Sequence, residues 1–237
     1  MRVFHLKKDF LIVLLVLLML SLIVLIVYST ARKTAMDTVF SFPLYNHTVV
    51  IDPGHGGYDP GVHRDGVTEK DIVLDISRNL KLFLRRQGAE VIMTREVDKD
   101  LLEVGPKKRK DLEGRMKVIE KADADLLVSV HTNAMESPVW SGAQTFFSSH
   151  DDQASRQLAL CVQEELVKNL GNTKREAKPG YYYILEQSPI PATIVEVGFI
   201  SNPEEAEQLK NPDYQKKVAL SIYKGIYRYF MQNKTDL

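Results

Sequence analysis

Cysteine is almost absent from this 237-residue chain: Cys161 stands alone. That excludes an internal disulfide and any zinc cluster built from thiolates. Cys161 falls on the apolar side of a helical pattern with Leu158, Val162 and Leu166, the position of a small buried hydrophobe rather than of a nucleophile. An excess of charge is missing too, since 31 basic residues balance 31 acidic ones. Residues 1–33 hold five Lys/Arg and one Asp, leaving residues 34–237 with 26 basic against 30 acidic, a net of −4; this argues against a nucleic-acid partner. No internal repeat and no H-E-x-x-H signature is found. Gly54-His55-Gly56-Gly57 is not the G-x-G-x-x-G of a dinucleotide site and lacks the P-loop lysine. Any chemistry must therefore come from residues that are distant in sequence.

One long hydrophobic run is present. Phe10 to Tyr28 is interrupted only by Ser21 and follows a flank carrying Arg2, Lys7 and Lys8. Its 19 residues exceed the roughly 7 to 15 of a signal-peptide core and fall within the roughly 17 to 25 that span a bilayer. Ser29-Thr30-Ala31 offers a cleavage site, so an uncleaved anchor and a removed signal both stand, and either exports the remainder. The expected organisation is a signal or anchor over 1–33, a linker over 34–46 and one folded domain over 47–232. The protein is then secreted, or held in the membrane by residues 10–28.

Beyond Thr48 the pattern alternates. Short apolar runs at Thr48–Ile51, Glu90–Thr94, Leu126–Val130, Gly142–Ser148, Tyr181–Leu185 and Ala192–Val197 read as strands. Segments of helical period read as helices over Glu69–Arg86, Leu112–Lys121, Asp151–Asn169, Pro203–Leu209 and Pro212–Phe230. The expected fold is α/β: a single domain with a mostly parallel twisted sheet, helices on both faces, preceded by an N-terminal hydrophobic helix. Val97 to Asp111 is charged, contains Gly105-Pro106 and ends in Lys107-Lys108-Arg109-Lys110. It reads as a solvated loop, or as a lid or docking surface for an anionic wall polymer or a partner protein.

Three strands run straight into a metal-competent or acidic residue: His55, His131 and Glu196. In an open α/β sheet the carboxyl ends of the strands share one crevice, where such groups can meet. His55 sits among glycines that allow close backbone approach. His131 is either paired in the core or a ligand. Glu196, flanked by Ile194-Val195 and Val197, must have a partner or face a site, because a buried unpaired carboxylate costs several kcal/mol. Glu69 opens a helix directly after Thr68, and its plainer role is a first-turn carboxylate with Thr68 as cap. Two imidazoles and one carboxylate are together the ligand set of a catalytic zinc site, and a further carboxylate can then act on water.

Four ordered blocks carry a family resemblance: Val50-Ile51-Asp52-Pro53-Gly54-His55-Gly56-Gly57, Glu69-Lys70, Ser129-Val130-His131-Thr132-Asn133-Ala134, and Val195-Glu196-Val197-Gly198-Phe199-Ile200-Ser201-Asn202. From Thr48 to Phe230 the chain resembles the zinc-dependent N-acetylmuramoyl-L-alanine amidases of the Amidase_3 family. The resemblance implies one Zn2+ held by His55, Glu69 and His131, with Glu196 as the catalytic carboxylate, acting on peptidoglycan glycan strands that bear stem peptides. The Trp140-Ser141-Gly142-Ala143-Gln144 segment and the Lys-rich loop before Asp111 are similar to the germination-specific amidases of endospore formers. That type strips peptides from cortex muramic acid on the way to muramic-δ-lactam, with a deacetylase acting next and an accessory protein as a further partner. No wall-binding repeat accompanies the blocks, unlike the autolysins of the family. Two other functions remain open: a zinc peptidase acting on stem peptides, and a catalytically silent wall-binding protein.

Further candidates are weaker. Asp52, Asp59 and Asn133 could orient the ligands, or serve only as loop and turn residues. Arg115 could reach a peptide carboxylate, or lie on a helix surface. Tyr181-Tyr182-Tyr183 and Trp140 could stack on sugar or peptide. His63 and His150 are loop histidines with no partner evident in the sequence.

Overall fold

The computed structural model describes residues 2–40, 42–64, 66–101, 108–150 and 152–233. The chain divides into two units, 1–43 and 44–237. The first is a helix, α1 (Arg2–Phe40), whose Asp9–Lys33 stretch is long and apolar enough to cross a membrane, with a mean hydropathy of 3.6 over its most apolar 18 residues. The segment expected as a linker from residue 34 is helical as far as Phe40. Leu44 is fully buried in the core of the second unit, so that unit begins three residues before the position expected from sequence.

The second unit is built on a six-stranded sheet. Its strands are β1 (Thr48–Pro53), β4 (Glu90–Met93), β5 (Leu126–Asn133), β6 (Gln144–Ser148), β7 (Lys178–Gly180) and β8 (Ala192–Phe199), in the order β4-β1-β5-β8-β6-β7. A separate two-residue hairpin, β2 (His63–Arg64) and β3 (Val67–Thr68), went unread in the sequence. Pairing is parallel from β4 through β8. It turns antiparallel between β8 and β6, and β7 follows β6 in parallel.

Both faces of the sheet are covered, as two-sided hydrophobic strands require. Val49 and Ile51, Leu126 and Val128, and Val195 and Val197 face one cluster. It is formed with α2 (Glu69–Arg86), α4 (Gln153–Leu170), α6 (Pro203–Lys210) and α7 (Pro212–Asn233). Cys161 is buried in this cluster. The alternate residues Val50, Leu127 and Ile194 face a smaller cluster with α3 (Lys108–Lys121) and α5 (Tyr183–Glu186). This smaller cluster leaves room at the carboxyl ends of β1, β5 and β8.

Local chemistry fixes the helix ends. Asp152 accepts from the N–H groups of Ala154 and Ser155, and Gly171 closes α4 at φ 75°. Asn202 caps α6 in the same way, followed by Pro203. Two readings are corrected. Tyr181–Leu185 is not a strand: Tyr183–Glu186 makes one helical turn. Its Ile184 and Leu185 pack on the smaller cluster, and that tertiary contact outweighs the strand propensity of consecutive tyrosines. The charged stretch before Asp111 is partly helical, since α3 begins at Lys108; residues 102–107 lie outside the described set.

Candidate active site

His55 lies in the loop after β1 with φ 58°, followed by Gly56 at φ 129° and Gly57 at φ 59°. A β-carbon-bearing residue in the left-handed region persists only where its surroundings enforce it. Two arginines do so here. Arg95 donates from Nε to the Pro53 carbonyl at 3.0 Å and from Nη2 to the carbonyls of Gly54 and Lys70, each at 2.8 Å. Arg115 donates from Nη1 to the Pro53 carbonyl at 2.8 Å and from Nη2 to that of His55 at 2.5 Å. Lys70 and Asp98 complete the grip through the carbonyl and N–H of Gly57. Arg95 escaped the sequence reading, because the carbonyls of Pro53, Gly54 and Lys70 that it holds lie 25 to 42 residues earlier in the chain and no local pattern marks it.

Glu69 brings the two histidines together. It is the first residue of α2, yet its side chain turns away from the helix end. Oε1 accepts from the N–H of Thr132 at 2.9 Å and lies 3.1 Å from His131 Nδ1. Oε2 accepts from the N–H of Val62 at 3.0 Å and lies 3.2 Å from His55 Nε2. The cap role expected of Thr68 is not filled: its side chain makes no cap bond, and its hydroxyl meets His63 Nδ1 at 2.9 Å. On the other side of His55, Asp59 Oδ2 is 2.9 Å from Nδ1, which orients Nε2 toward Glu69. His55, Glu69 and His131 each offer one ligand atom, all within 4.8 Å of one another, and form a group that could hold a metal ion. Two imidazoles and a carboxylate suit a borderline divalent cation.

Glycine makes this density possible. A β-carbon on Gly54 would lie 2.2 Å from His131 Cε1, and one on Gly61 would lie 2.5 Å from Glu69 Oε2. The electrostatics follow from the same contacts. Burial opposes the charge on Glu69, but the hydrogen bonds and charges of His131 and His55 outweigh it and hold the carboxyl far below its usual range. For His55, burial opposes protonation, while Glu69 and then Asp59 raise the pKa.

Glu196 stands directly across the β5–β8 ladder from His131. It is 8 % exposed, and its Oε2 is buried with no hydrogen-bond partner among the described residues. Burial, aided by the charge of Glu69 and opposed by both histidines, pushes its pKa up to about 7. Tyr182 nearby is pushed up to about 12 by burial and by the charge of Glu196. A cavity of about 270 Å³ opens here, lined by His55, His131, Asp111, Leu112, Tyr182 and Ile184 among others. A buried carboxylate with a free oxygen and a pKa near neutrality is equipped to accept a proton and return it.

The remaining candidates fall differently. Asp52 does not touch a histidine. It is buried beneath the loop, accepting from Thr94 Oγ1 at 2.6 Å and Ser129 Oγ at 2.7 Å and pairing with Arg115 at 2.7 Å. Arg115 is 2 % exposed and spans Asp52 and Asp111, so its guanidinium is committed to the scaffold rather than lying on a helix surface. Asn133 Oδ1 accepts from the N–H of Ala134, a turn role. His150 pairs with Glu186. Tyr182 and Tyr183 line the cavity, whereas Trp140 lies under Arg175.

Residues 49–228 match the Amidase_3 family model, described as N-acetylmuramoyl-L-alanine amidase. The chain belongs to that family. Among curated Amidase_3 relatives, the germination-specific N-acetylmuramoyl-L-alanine amidase of Bacillus subtilis (strain 168) is 44% identical over 199 residues, covering 81% of this chain and 84% of the relative. Among solved structures, the CwlD amidase from Clostridioides difficile, in complex with the GerS lipoprotein, is 38% identical with a TM-score of 0.76, covering 79% of this chain and all of that one. An N-acetylmuramoyl-L-alanine amidase from Clostridium difficile 630 is 30% identical with a TM-score of 0.71, covering 77% of this chain and 96% of that one. The chain is accordingly an amidase acting on peptidoglycan.

Proposed function

We propose that this amidase hydrolyses, with one zinc ion bound, the amide joining the lactyl group of N-acetylmuramic acid to L-alanine, and that its substrate is spore cortex destined for muramic-δ-lactam. The observation that carries the reading is the unpartnered Oε2 of Glu196, one strand from a His55–Glu69–His131 group whose donor atoms converge. These three residues would hold the ion. When bound, zinc lowers the pKa of a coordinated water from about 15.7 toward roughly 7 and polarises a carbonyl.

The chain's own groups do the rest. Asp59 and the backbone N–H groups of Val62 and Thr132 fix the ring of His55 and the carboxylate of Glu69. Arg95 and Arg115 hold the His55 loop in its left-handed conformation. Glu196 takes a proton from the attacking water on its free oxygen and passes it to the departing nitrogen. Tyr182 and Ile184 wall the cavity and limit water.

The cortex role rests on the likeness to the germination-specific amidase, and places a deacetylase after this enzyme. The CwlD–GerS complex suggests a lipoprotein as protein partner here too. Residues 1–33 serve as signal or anchor, with 10–28 in the membrane if uncleaved; residues 34–43 form the link, and the segment from 44 to 232 the catalytic domain.

The test uses the full chain with purified cortex muropeptides, with and without chelator, and identifies products by mass. Release of peptides beginning with L-alanine and of peptide-free muramic acid, lost on chelation and restored by zinc, is expected. Cleavage within the stem peptide instead, or turnover that survives chelation, would overturn the reading.

A further inference from the structure

Of the three consecutive tyrosines, the outer pair is exposed while Tyr182 packs against the smaller hydrophobic cluster. Its ring centroid lies 5.4 Å from that of Phe146. A β-carbon on Gly180 would fall 2.6 Å from Tyr182 Cε2, so the ring is pressed against the backbone at the end of β7. The Tyr182 carbonyl accepts from the N–H groups of Leu185 and Glu186, each at 3.0 Å, and Ser148 and Ser149 bind the Glu186 carboxylate in turn. Ring, backbone and the helical turn that follows are all held in place.

The hydroxyl has no task in the fold. Among the described residues the Tyr182 side chain makes no hydrogen bond, although a phenol removed from water ordinarily finds a partner. It lines the cavity together with His55, His131 and Ile194. Sheet register explains its nearness to Glu196: Phe146, against which Tyr182 packs, stands opposite Ile194, two residues before Glu196 on the same face of β8. Burial and then the Glu196 charge push the phenol up to about 12, so it keeps its proton at neutral pH and remains a donor. Yet no hydrogen bond joins the two groups, and the glutamate Oε2 is unpartnered as well. An unused acceptor and an unused donor therefore stand close together, each free for a third group.

From this geometry we infer that Tyr182 is a further catalytic residue, whose hydroxyl donates a hydrogen bond to the scissile carbonyl oxygen as that oxygen gains negative charge. The inference deepens the amidase reading above and rests on it. As water adds to the carbonyl carbon, its oxygen forms the new C–O bond, its proton passes to Glu196, and the π pair of the C=O bond moves onto oxygen, where the phenol meets it. On collapse that pair re-forms the C=O bond, the C–N bond breaks, and Glu196 returns its proton to the leaving nitrogen. Tyr182 keeps its own proton throughout. Its contribution comes from being oriented and shielded from water before the charge appears. Packing alone would need only a ring, as the neighbouring Phe146 supplies.

The full chain and its Tyr182→Phe variant, both supplied with zinc, are compared on cortex muropeptides. In the variant kcat is expected to fall roughly 10²-fold, with KM, zinc affinity and Tm little changed. A phosphinate analogue, tetrahedral and anionic where the amide carbon stands, should bind the variant more weakly by the same factor, whereas the peptide product should bind both equally. Fluorotyrosine in place of Tyr182 keeps the packing, and its fluorine resonance should move on adding the phosphinate but not the product. Near-parent kcat in Tyr182→Phe, a fall in kcat without a matching loss of phosphinate affinity, or a fluorine resonance indifferent to the phosphinate would overturn the inference and leave the amidase reading intact. A parent enzyme that cleaves no muropeptide would overturn both.

Discussion

Glu196 and His131 are direct neighbours across the β5–β8 ladder, and the glutamate leaves one buried oxygen unbonded. A core carboxylate in that state is retained at a cost of several kcal/mol, which supports the role in the reaction proposed for it. Glu196→Gln is therefore expected to keep zinc affinity within a few-fold while turnover falls about 10²-fold to 10⁴-fold. Calorimetric zinc titration beside a rate assay checks this; near-parent turnover would remove Glu196 from the chemistry.

The same substitution has the opposite effect on stability. In the metal-free protein, burial holds the Glu196 pKa up at about 7 against an ordinary 4.5. The unfolded chain loses the proton first, so the destabilising contribution grows between pH 4.5 and about 7 and reaches roughly 3 kcal/mol above that window. Denaturant midpoints of metal-free Glu196→Gln should match the parent near pH 4 and exceed it at pH 8. A difference that does not change with pH would contradict the assignment.

Zinc should stabilise the folded protein by linkage, by about 3 kcal/mol at a free concentration 100 times Kd. The resulting rise in Tm is expected to vanish in His55→Ala and His131→Ala. It should shrink in Glu69→Gln, whose single side-chain oxygen can accept from only one of the N–H groups of Val62 and Thr132 and which loses the charge. A full Tm rise in His131→Ala would exclude that residue as a ligand.

Gly54→Ala tests packing around the ligand. Its new methyl would lie 2.2 Å from the His131 ring, so the imidazole must swing away. Zinc affinity should fall at least tenfold with the circular dichroism spectrum unchanged. Unaltered affinity would show that the ring has room to move.

Beneath the loop, burial disfavours the Asp52 charge, yet Arg115, Thr94 and Ser129 outweigh burial and hold the pKa at about 2. A depressed folded pKa contributes stability that is fully present above the unfolded value of 3.8 and is lost as pH falls toward 2. The parent should lose about 2 kcal/mol across that window. Asp52→Asn should be less stable at neutral pH by roughly 3 to 5 kcal/mol, because Arg115 keeps a buried charge with one partner fewer. Acid unfolding followed at several pH values distinguishes this from a uniform loss.

Much of this arrangement is legible in the linear chain. Continuous apolar runs leading into His131 and Glu196, and the 3.6-residue repeat from Ile72 to Leu84, place β5, β8 and α2 to within three residues. What sequence hides is what long-range contact decides. Arg115 reads as a surface residue of a charged helix, and only the approach of Asp52 and the Pro53 carbonyl from β1 draws it inside. Tyr183–Glu186 favours a strand by propensity, but Ser148 and Ser149 bind the Glu186 carboxylate and hold the segment as a turn of helix. Arg95 and Arg175 act through carbonyls and rings that no spacing rule connects to them.

The three metal-competent donors come from a loop, a helix start and a strand end, 14 and 62 residues apart along the chain. An extended polypeptide therefore presents isolated, weak donors and no chelate. On the proposed zinc reading, capture of the ion would wait until β1, α2 and β5 have docked, and occupancy would then be a late checkpoint on maturation, leaving nascent or misassembled copies inert.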